Sequence, residues 1–333
     1  MSGETIYNMD AAMPERRRRC FGWSRWSWAG VTLVDHYTAI QSVLMTLGSV
    51  GVWGSGLWLD ESRRAEAKDV ATELDELGFA ALWLSAGFGQ GLPTVFRDLL
   101  DATRRMTVAS GILSIWHATA AQAAEGFASL DRAHPGRFLL GLGVSHAPRV
   151  DADELRYARP WGRMVSYLNE LDDQRPCVPP ERRVLAALGP RMLGLSAERT
   201  AGAHPYFVPV EHTAVARRVL GPGPLLVPEQ AVVLETDPGL ARDLARGHMK
   251  GYLQLPNYTN SLRRLGYRDE DFDDGGSDLL VDAIVVWGDL DRIAARVRAH
   301  HDAGADSVSV QVISDRPADF PREQYRRLAT ALL

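Results

Sequence analysis

The stretch GRFLLGLGVSHAP, Gly136 to Pro148, decides how the rest of the chain is read. Its glycines invite comparison with a nucleotide-binding loop, in which a glycine-rich turn joins a strand to the start of a helix. Here Pro148 and Arg149 stand where that helix would begin, and Phe138 to Val144 reads as one buried strand. Gly141 and Gly143 then have no helix to cap and no pyrophosphate turn to make. As strand residues they remove side chains, which leaves two readings open. A flat ring system can approach bare backbone at the strand's C-terminal end, with Ser145 and His146 projecting into a mouth. Alternatively, the glycines relieve crowding where a barrel tapers.

Outward from that strand, one phrase recurs: the end of a helical pattern, a glycine, then a strand. It appears as TELDELGFAALWLS, LSAERTAGAHPYFV and VRAHHDAGADSVSVQV. In the first, Ala67, Val70, Ala71, Leu74 and Leu77 recur at helical spacing, and Gly78 suits the left-handed residue that closes a helix. In the last, Val308, Val310 and Val312 alternate with polar residues, as a strand does. The same reading predicts strands at 47–54, 80–85, 107–113, 138–144, 183–189, 203–208, 225–235 and 307–313. Eight such units favour a (β/α)₈ barrel of the TIM type over an open doubly wound sheet. Between the seventh and eighth strands the chain runs too long for a plain connection, which predicts an insertion lying over the mouth.

The chain has 333 residues, 46% hydrophobic and 24% charged, with a formal charge of -5. These are the proportions of a globular protein, and they offer no basic surface for nucleic acid. Cys20 and Cys177 are the only cysteines, too few for a disulfide framework or a cysteine metal site, and consistent with the cytoplasm. The longest apolar runs fall well short of the roughly 20 residues that span a bilayer. Residues 1–44 include MPERRRRCFGWSRWSWAG, a basic and tryptophan-rich stretch with no counterpart in the repeating pattern. They are expected to form a dispensable tail, with the barrel domain covering residues 45–333.

ELGFAALWLS, MTVASGILSIW, AHPGRFLLGLGVSHAP, RRVLAALGPRMLGLSAERTAGAHPY and WGDLDRIAARVRAHHDAGADSVSVQV occur in an order and spacing that resemble a known family. It is that of the bacterial-luciferase-like, or LLM class, monooxygenases and reductases, in the branch that uses the deazaflavin coenzyme F420. The resemblance runs from about Leu47 to Ile313. It implies a TIM-type barrel with a deazaflavin or isoalloxazine ring over the C-terminal ends of the strands. It also implies a small-molecule substrate and a homodimer. A non-prolyl cis peptide in the third strand is implied at Gly111 and Ile112. FMN with molecular oxygen, as in a monooxygenase, is the alternative to F420; a cofactor-binding barrel without turnover is a third reading.

Candidate site residues follow from position and from this resemblance. Trp53, Ser85, Gly111, Ile112, Val144 and Ser145 would face the ring. Ala187, Leu188, Gly189 and Arg191, in AALGPRM, would hold its phosphate at a helix N-terminus. His146 is the first candidate for a proton, because it lies just past the fourth strand and histidine titrates near neutrality. His204 and Glu229 are further candidates for chemistry, a buried carboxylate needing either a partner or a role. Phe88, Trp116, Tyr206 and Gln230 would wall the substrate, and Asn257 and Tyr258 in PNYTN would contact it from a lid. Trp83 is read as alternating with Leu82 and Leu84, and therefore as packing against the outer helices at least as readily as facing the ring. After the second strand, Ala86 and Gly87 stand where related alcohol- and sugar-phosphate-oxidising enzymes carry an Asp-His pair, so that activity is not expected.

Overall fold

The computed structural model describes residue 43 and residues 47–86, 91–152 and 155–333, with the backbone alone at residue 149. Eleven strands are assigned among them: β1 Val50–Gly54, β2 Ala81–Leu84, β3 Thr107–Ser110, β4 Leu113–Ser114, β5 Phe138–Gly143, β6 Arg183–Leu185, β7 Gly202–Ala203, β8 Leu225–Leu226, β9 Glu229–Val233, β10 Val285–Trp287 and β11 Val308–Val312. All pair in parallel. β3 and β4 are halves of one strand interrupted at residues 111 and 112, and β8 and β9 are halves of another interrupted at Val227 and Pro228. Counted so, and with β10 set aside as an addition to the edge of β9, eight barrel strands follow in chain order. The eighth, β11, pairs with β1 through Val308↔Val50 and Val310↔Val52, which closes the ring. The predicted (β/α)₈ barrel is the observed fold.

Helices separate the strands for the local reasons the sequence supplies. Helix Arg64–Leu77 ends on Gly78 at φ 102 and buries Ala67, Val70, Ala71 and Leu74 against the sheet. Helix Ala120–Ala133 starts at a reciprocal Thr119–Gln122 capping box, a feature worth about 1 kcal/mol. Leu82 and Leu84 join the layer between strands and helices, while Ala81 and Trp83 join Ala109, Leu139, Val184, Leu225 and Val227 inside the bore. Trp83 therefore faces inward, which decides between the two readings left open for it and rules out packing against the outer helices. The outer face needed only leucines, and the bore took the larger ring. Val43 and Leu47 are buried in the same bore cluster, so the packed chain reaches back at least to Val43, two residues before the expected boundary.

Between β9 and β11 the chain forms helices Pro238–Tyr252 and Pro256–Arg264, a 3-10 segment at Asp269–Gly275, helix Asp278–Ile284, strand β10 and helix Leu290–Asp302. β10 adds to the outer edge of β9 through Val285↔Ala231 and Trp287↔Val233, a pairing the sequence reading did not foresee. The PNYTN segment, expected to contact the substrate from a lid, is the first turn of a helix begun by Pro256, with Tyr258 buried. Among the described residues no helix is long and apolar enough to cross a membrane.

Candidate active site

The mouth of the barrel is built first from what its glycines allow. A Cβ on Gly141 would run into the carbonyl oxygen of Ser110, and one on Gly143 would lie 2.6 Å from Ile112 Cδ1. Ser110 completes the arrangement: its hydroxyl donates to Gly141 O at 2.9 Å and accepts from Gly141 N at 2.8 Å. Both glycines thus make room for the interrupted third strand beside them. This corrects the reading in which they bare the backbone for a ring. It also places Ile112 against Gly143, across the sheet. The Gly111–Ile112 peptide is cis, at the pair the resemblance pointed to.

Gly111, in contrast, faces the side chains of the bore. A Cβ there would stand 3.0 Å from Trp53 Nε1 and 3.4 Å from His204 Nε2. His204 is buried, and its ring stacks on Trp83 with centroids 4.1 Å apart and planes 12° apart. Its Nδ1 donates to Val227 O at 2.6 Å. Burial pulls its pKa down to about 4, so the ring is neutral and Nε2 is a bare acceptor. No hydrogen bond reaches that Nε2, nor Trp53 Nε1, Trp83 Nε1, Glu229 Oε1, Ser307 Oγ or Ser309 Oγ. Five of the six atoms belong to strand or strand-end residues of the inner face, and Ser307 immediately precedes β11. Unpaired buried polar atoms cost about 1–3 kcal/mol each, so their concentration in one bore marks a place built to be filled.

Aromatic rings continue the wall toward the insertion. Tyr206 lies 4.9 Å from Trp53, 5.3 Å from Tyr252 and 6.3 Å from Tyr258, measured between ring centroids. Its hydroxyl donates to Gln311 Oε1 at 2.8 Å and meets the Tyr252 hydroxyl at 2.9 Å. On the opposite rim, His146 lies 5.2 Å from Tyr258, and its Nδ1 donates to Asn257 Oδ1 at 2.9 Å. The end of the fourth strand is thereby tied to the insertion. Trp116 donates from Nε1 to Val144 O at 2.7 Å, which fixes its indole beside that same strand end. Ser85, Val144, Ser145 and His146 are all half-buried, as expected of residues at an opening.

Other expected site residues lie elsewhere. Gln230 points outward from β9: its amide nitrogen donates to Ala231 O and Ile284 O, and its Oε1 takes His300 Nε2 at 2.9 Å. It is a packing residue, because the alternation that turns Glu229 inward turns Gln230 out. Ala187 is buried among Leu193, Ala203, Ala216 and Leu226, outside the bore, and Leu188 O is occupied by His212 Nε2 at 2.9 Å. Arg191 is exposed, and its guanidinium lies over the Trp161 ring at 4.4 Å. Gly189 does N-cap helix Pro190–Arg199, but the cation beside it is Arg264, whose Nη2 would be 3.6 Å from a Gly189 Cβ. Phe88 lies outside the described residues.

Sequence reasoning passed over Arg264, Tyr252, Gln311 and Ser309. A signal for the last two existed: in SVSVQV the polar residues alternate with valines, and in a helix-wrapped barrel the polar face is the inner one. Nothing local announces Arg264, which reaches Gly189 only through the insertion.

The family model for luciferase-like monooxygenase matches residues 45–173. Among solved structures, an F420-dependent secondary alcohol dehydrogenase in complex with an F420-acetone adduct is similar with a TM-score of 0.65 and 13% identity, over 86% of this chain and 99% of that one. The coenzyme F420-dependent tetrahydromethanopterin reductase of Methanopyrus kandleri gives 0.65 and 14%, over 85% and 98%. The oxygenating constituent of the Pseudomonas putida 3,6-diketocamphane monooxygenase, in complex with FMN, gives 0.58 and 16%, over 84% and 95%. No curated protein matches the sequence. At these identities the structural likeness is one of fold. Together with the family match it bears out the resemblance: residues 45–173 match the luciferase-like monooxygenases, and the fold as a whole is the one these structures share.

Proposed function

We propose that the protein binds the deazaflavin F420 at the mouth of the barrel and exchanges a hydride between it and a small, largely apolar organic substrate. The observation that carries this reading is the pair of unpartnered polar atoms beside Gly111, Trp53 Nε1 and His204 Nε2, next to the rings of Tyr206 and Tyr258. A planar heterocycle with donors and acceptors on its edge is the kind of group that satisfies such atoms while covering aromatic surface. The F420 dependence of the two relatives at TM-score 0.65 supports the choice of cofactor.

When bound, the deazaflavin supplies hydride exchange at its ring carbon, and the protein contributes alignment, exclusion of water and proton management. Trp53 and Tyr206 would wall the ring. Gly189, at the N-terminus of helix Pro190–Arg199, and Arg264 would hold its phosphate. His146, oriented by Asn257, would hold the exchangeable proton. The substrate would lie against Trp116 and Tyr258. FMN is the second reading, favoured by the FMN complex among the relatives.

Fluorescence titration of the purified protein with F420 and, separately, with FMN tests the assignment. Saturable F420 binding supports it. Tight FMN binding with no response to F420 rejects it in favour of the monooxygenase reading.

A further inference from the structure

Glu229 is 2% exposed and sits at the start of β9 on the inner face, opposite Ser309 in the register of β11. One oxygen accepts a hydrogen bond from Phe207 N at 3.1 Å; the other has no partner. Phe207 occupies the left-handed region at φ 58, a conformation that costs an aromatic residue energy unless its surroundings hold it. The neighbouring bond from Glu229 N to Pro205 O, at 2.9 Å, ties the same turn. Glu229 therefore clasps the segment that presents Tyr206 to the mouth, and Phe207 to Tyr252 and Tyr258.

No cation balances this carboxyl among the described residues. The groups around it are Tyr206 on the clasped turn, Tyr252 and Tyr258 on the insertion helices and Ser309 on β11; Gln311, further along β11, bonds Tyr206, and the His204 of the same bore is neutral. His248, behind Tyr252, is also neutral, its pKa pushed down to about 4 by burial. An ionised carboxylate in such surroundings is unpaired and desolvated, whereas the protonated acid adds a hydrogen-bond donor to a bore already supplied with an open acceptor, His204 Nε2.

We propose that Glu229 is a positioning residue which works as an un-ionised carboxylic acid, and that loss of its proton switches the ring site off. The proposal rests on the mouth being a ring-binding site. Burial pushes the Glu229 pKa up to about 8, so the switch falls just above neutrality. The proton involved moves between Glu229 and solvent and requires no redox partner.

Infrared difference spectroscopy across pH tests the acid directly and without any cofactor. Wild type should show the C=O stretch of an un-ionised carboxylic acid at pH 7 that disappears above about pH 8, and Glu229→Gln should lack it. Absence of the band in wild type at pH 7, or its persistence in the variant, overturns the proposal. The second arm uses riboflavin as a ring probe. Wild-type affinity should be about tenfold weaker at pH 9 than at pH 7, while Glu229→Gln, which keeps an acceptor for Phe207 N, binds equally at both. Equal pH profiles in the two proteins overturn the proposal. At pH 7 Glu229→Ala should bind the probe several-fold more weakly than Glu229→Gln; equal binding removes the positioning role. If riboflavin, FMN and F420 all fail to bind, the ring-site reading falls, and with it the switch; the infrared arm still decides the state of Glu229.

Discussion

Two carboxylates, Asp172 and Glu229, are each 2% exposed and lie toward opposite ends of the barrel. Asp172 ends helix Pro160–Asp172, and both its oxygens are taken, one by Arg183 at 2.5 Å and the other by Arg199 at 2.8 Å. Glu229 has one backbone donor and no cation. Asp75, also at the closed end, resembles Asp172 in being satisfied: it accepts from the backbone nitrogens of Arg104, Arg105 and Met106. The buried carboxylates Asp172 and Asp75 are fully bonded so that the fold holds, whereas Glu229 in the bore keeps one oxygen open at a cost in stability. Equal burial therefore hides opposite purposes, and the bonding separates them.

The contrast breaks most visibly at Asp172. Asp172→Ala leaves Arg183 buried without its counter-charge, and urea denaturation should show a loss of about 3–5 kcal/mol with ring-probe binding retained in the folded fraction. A loss below about 1 kcal/mol would mean that pairing at the closed end is incidental. At the mouth the expected effect is on rate. His146→Ala should lower turnover about a hundredfold with cofactor affinity nearly unchanged, and an unchanged rate in steady-state assays removes His146 from the chemistry.

Glu229→Gln sharpens the comparison with the opposite sign. The folded-state pKa of Glu229 is raised from an ordinary 4.5 to about 8, so the folded protein retains a proton that the unfolded chain gives up. The resulting penalty is absent below about pH 4.5, grows as pH rises, and levels off above about pH 8. At pH 8 the variant should be more stable than wild type by about 1–3 kcal/mol in chemical denaturation, with a flatter dependence on pH. A variant less stable than wild type at that pH would make Glu229 a second Asp172. The smallest effect is expected for Trp53→Phe, which keeps the ring and deletes only the unpartnered N–H. Ring affinity should fall about fivefold, near 1 kcal/mol, and an unaltered titration would leave that donor without a function.

The barrel was legible because its signals are local. Gly78 after a helical stripe, and valines alternating with polar residues near the C-terminus, each follow from one element's own geometry. The pairing of strands closed the ring as those patterns suggested. The site was legible only where a residue's direction followed from its own strand. Trp53, His204 and Glu229 met at the bore, whereas Gln230, one residue from Glu229, turned to His300. Trp83 stayed ambiguous because leucine and tryptophan on alternate faces look alike without knowing which face is outside. Arg264 was invisible because its approach to Gly189 depends on how the insertion folds over the mouth, a contact across 75 residues of chain that no window of sequence contains. The two readings of Gly141 and Gly143 stayed open for the same reason: the atoms they avoid belong to another strand.

Ser110 and Gly141 have a bearing on any attempt to redesign this protein for a different reactant. The serine hydroxyl straddles the glycine with one bond to each side of its peptide backbone, and the glycine has no space for even a methyl. Neither position can drift alone, so libraries that diversify this seam will return misfolded clones. Useful variation should come from Trp53, Asn257 and Tyr258, whose side chains make no hydrogen bond to the backbone of the sheet.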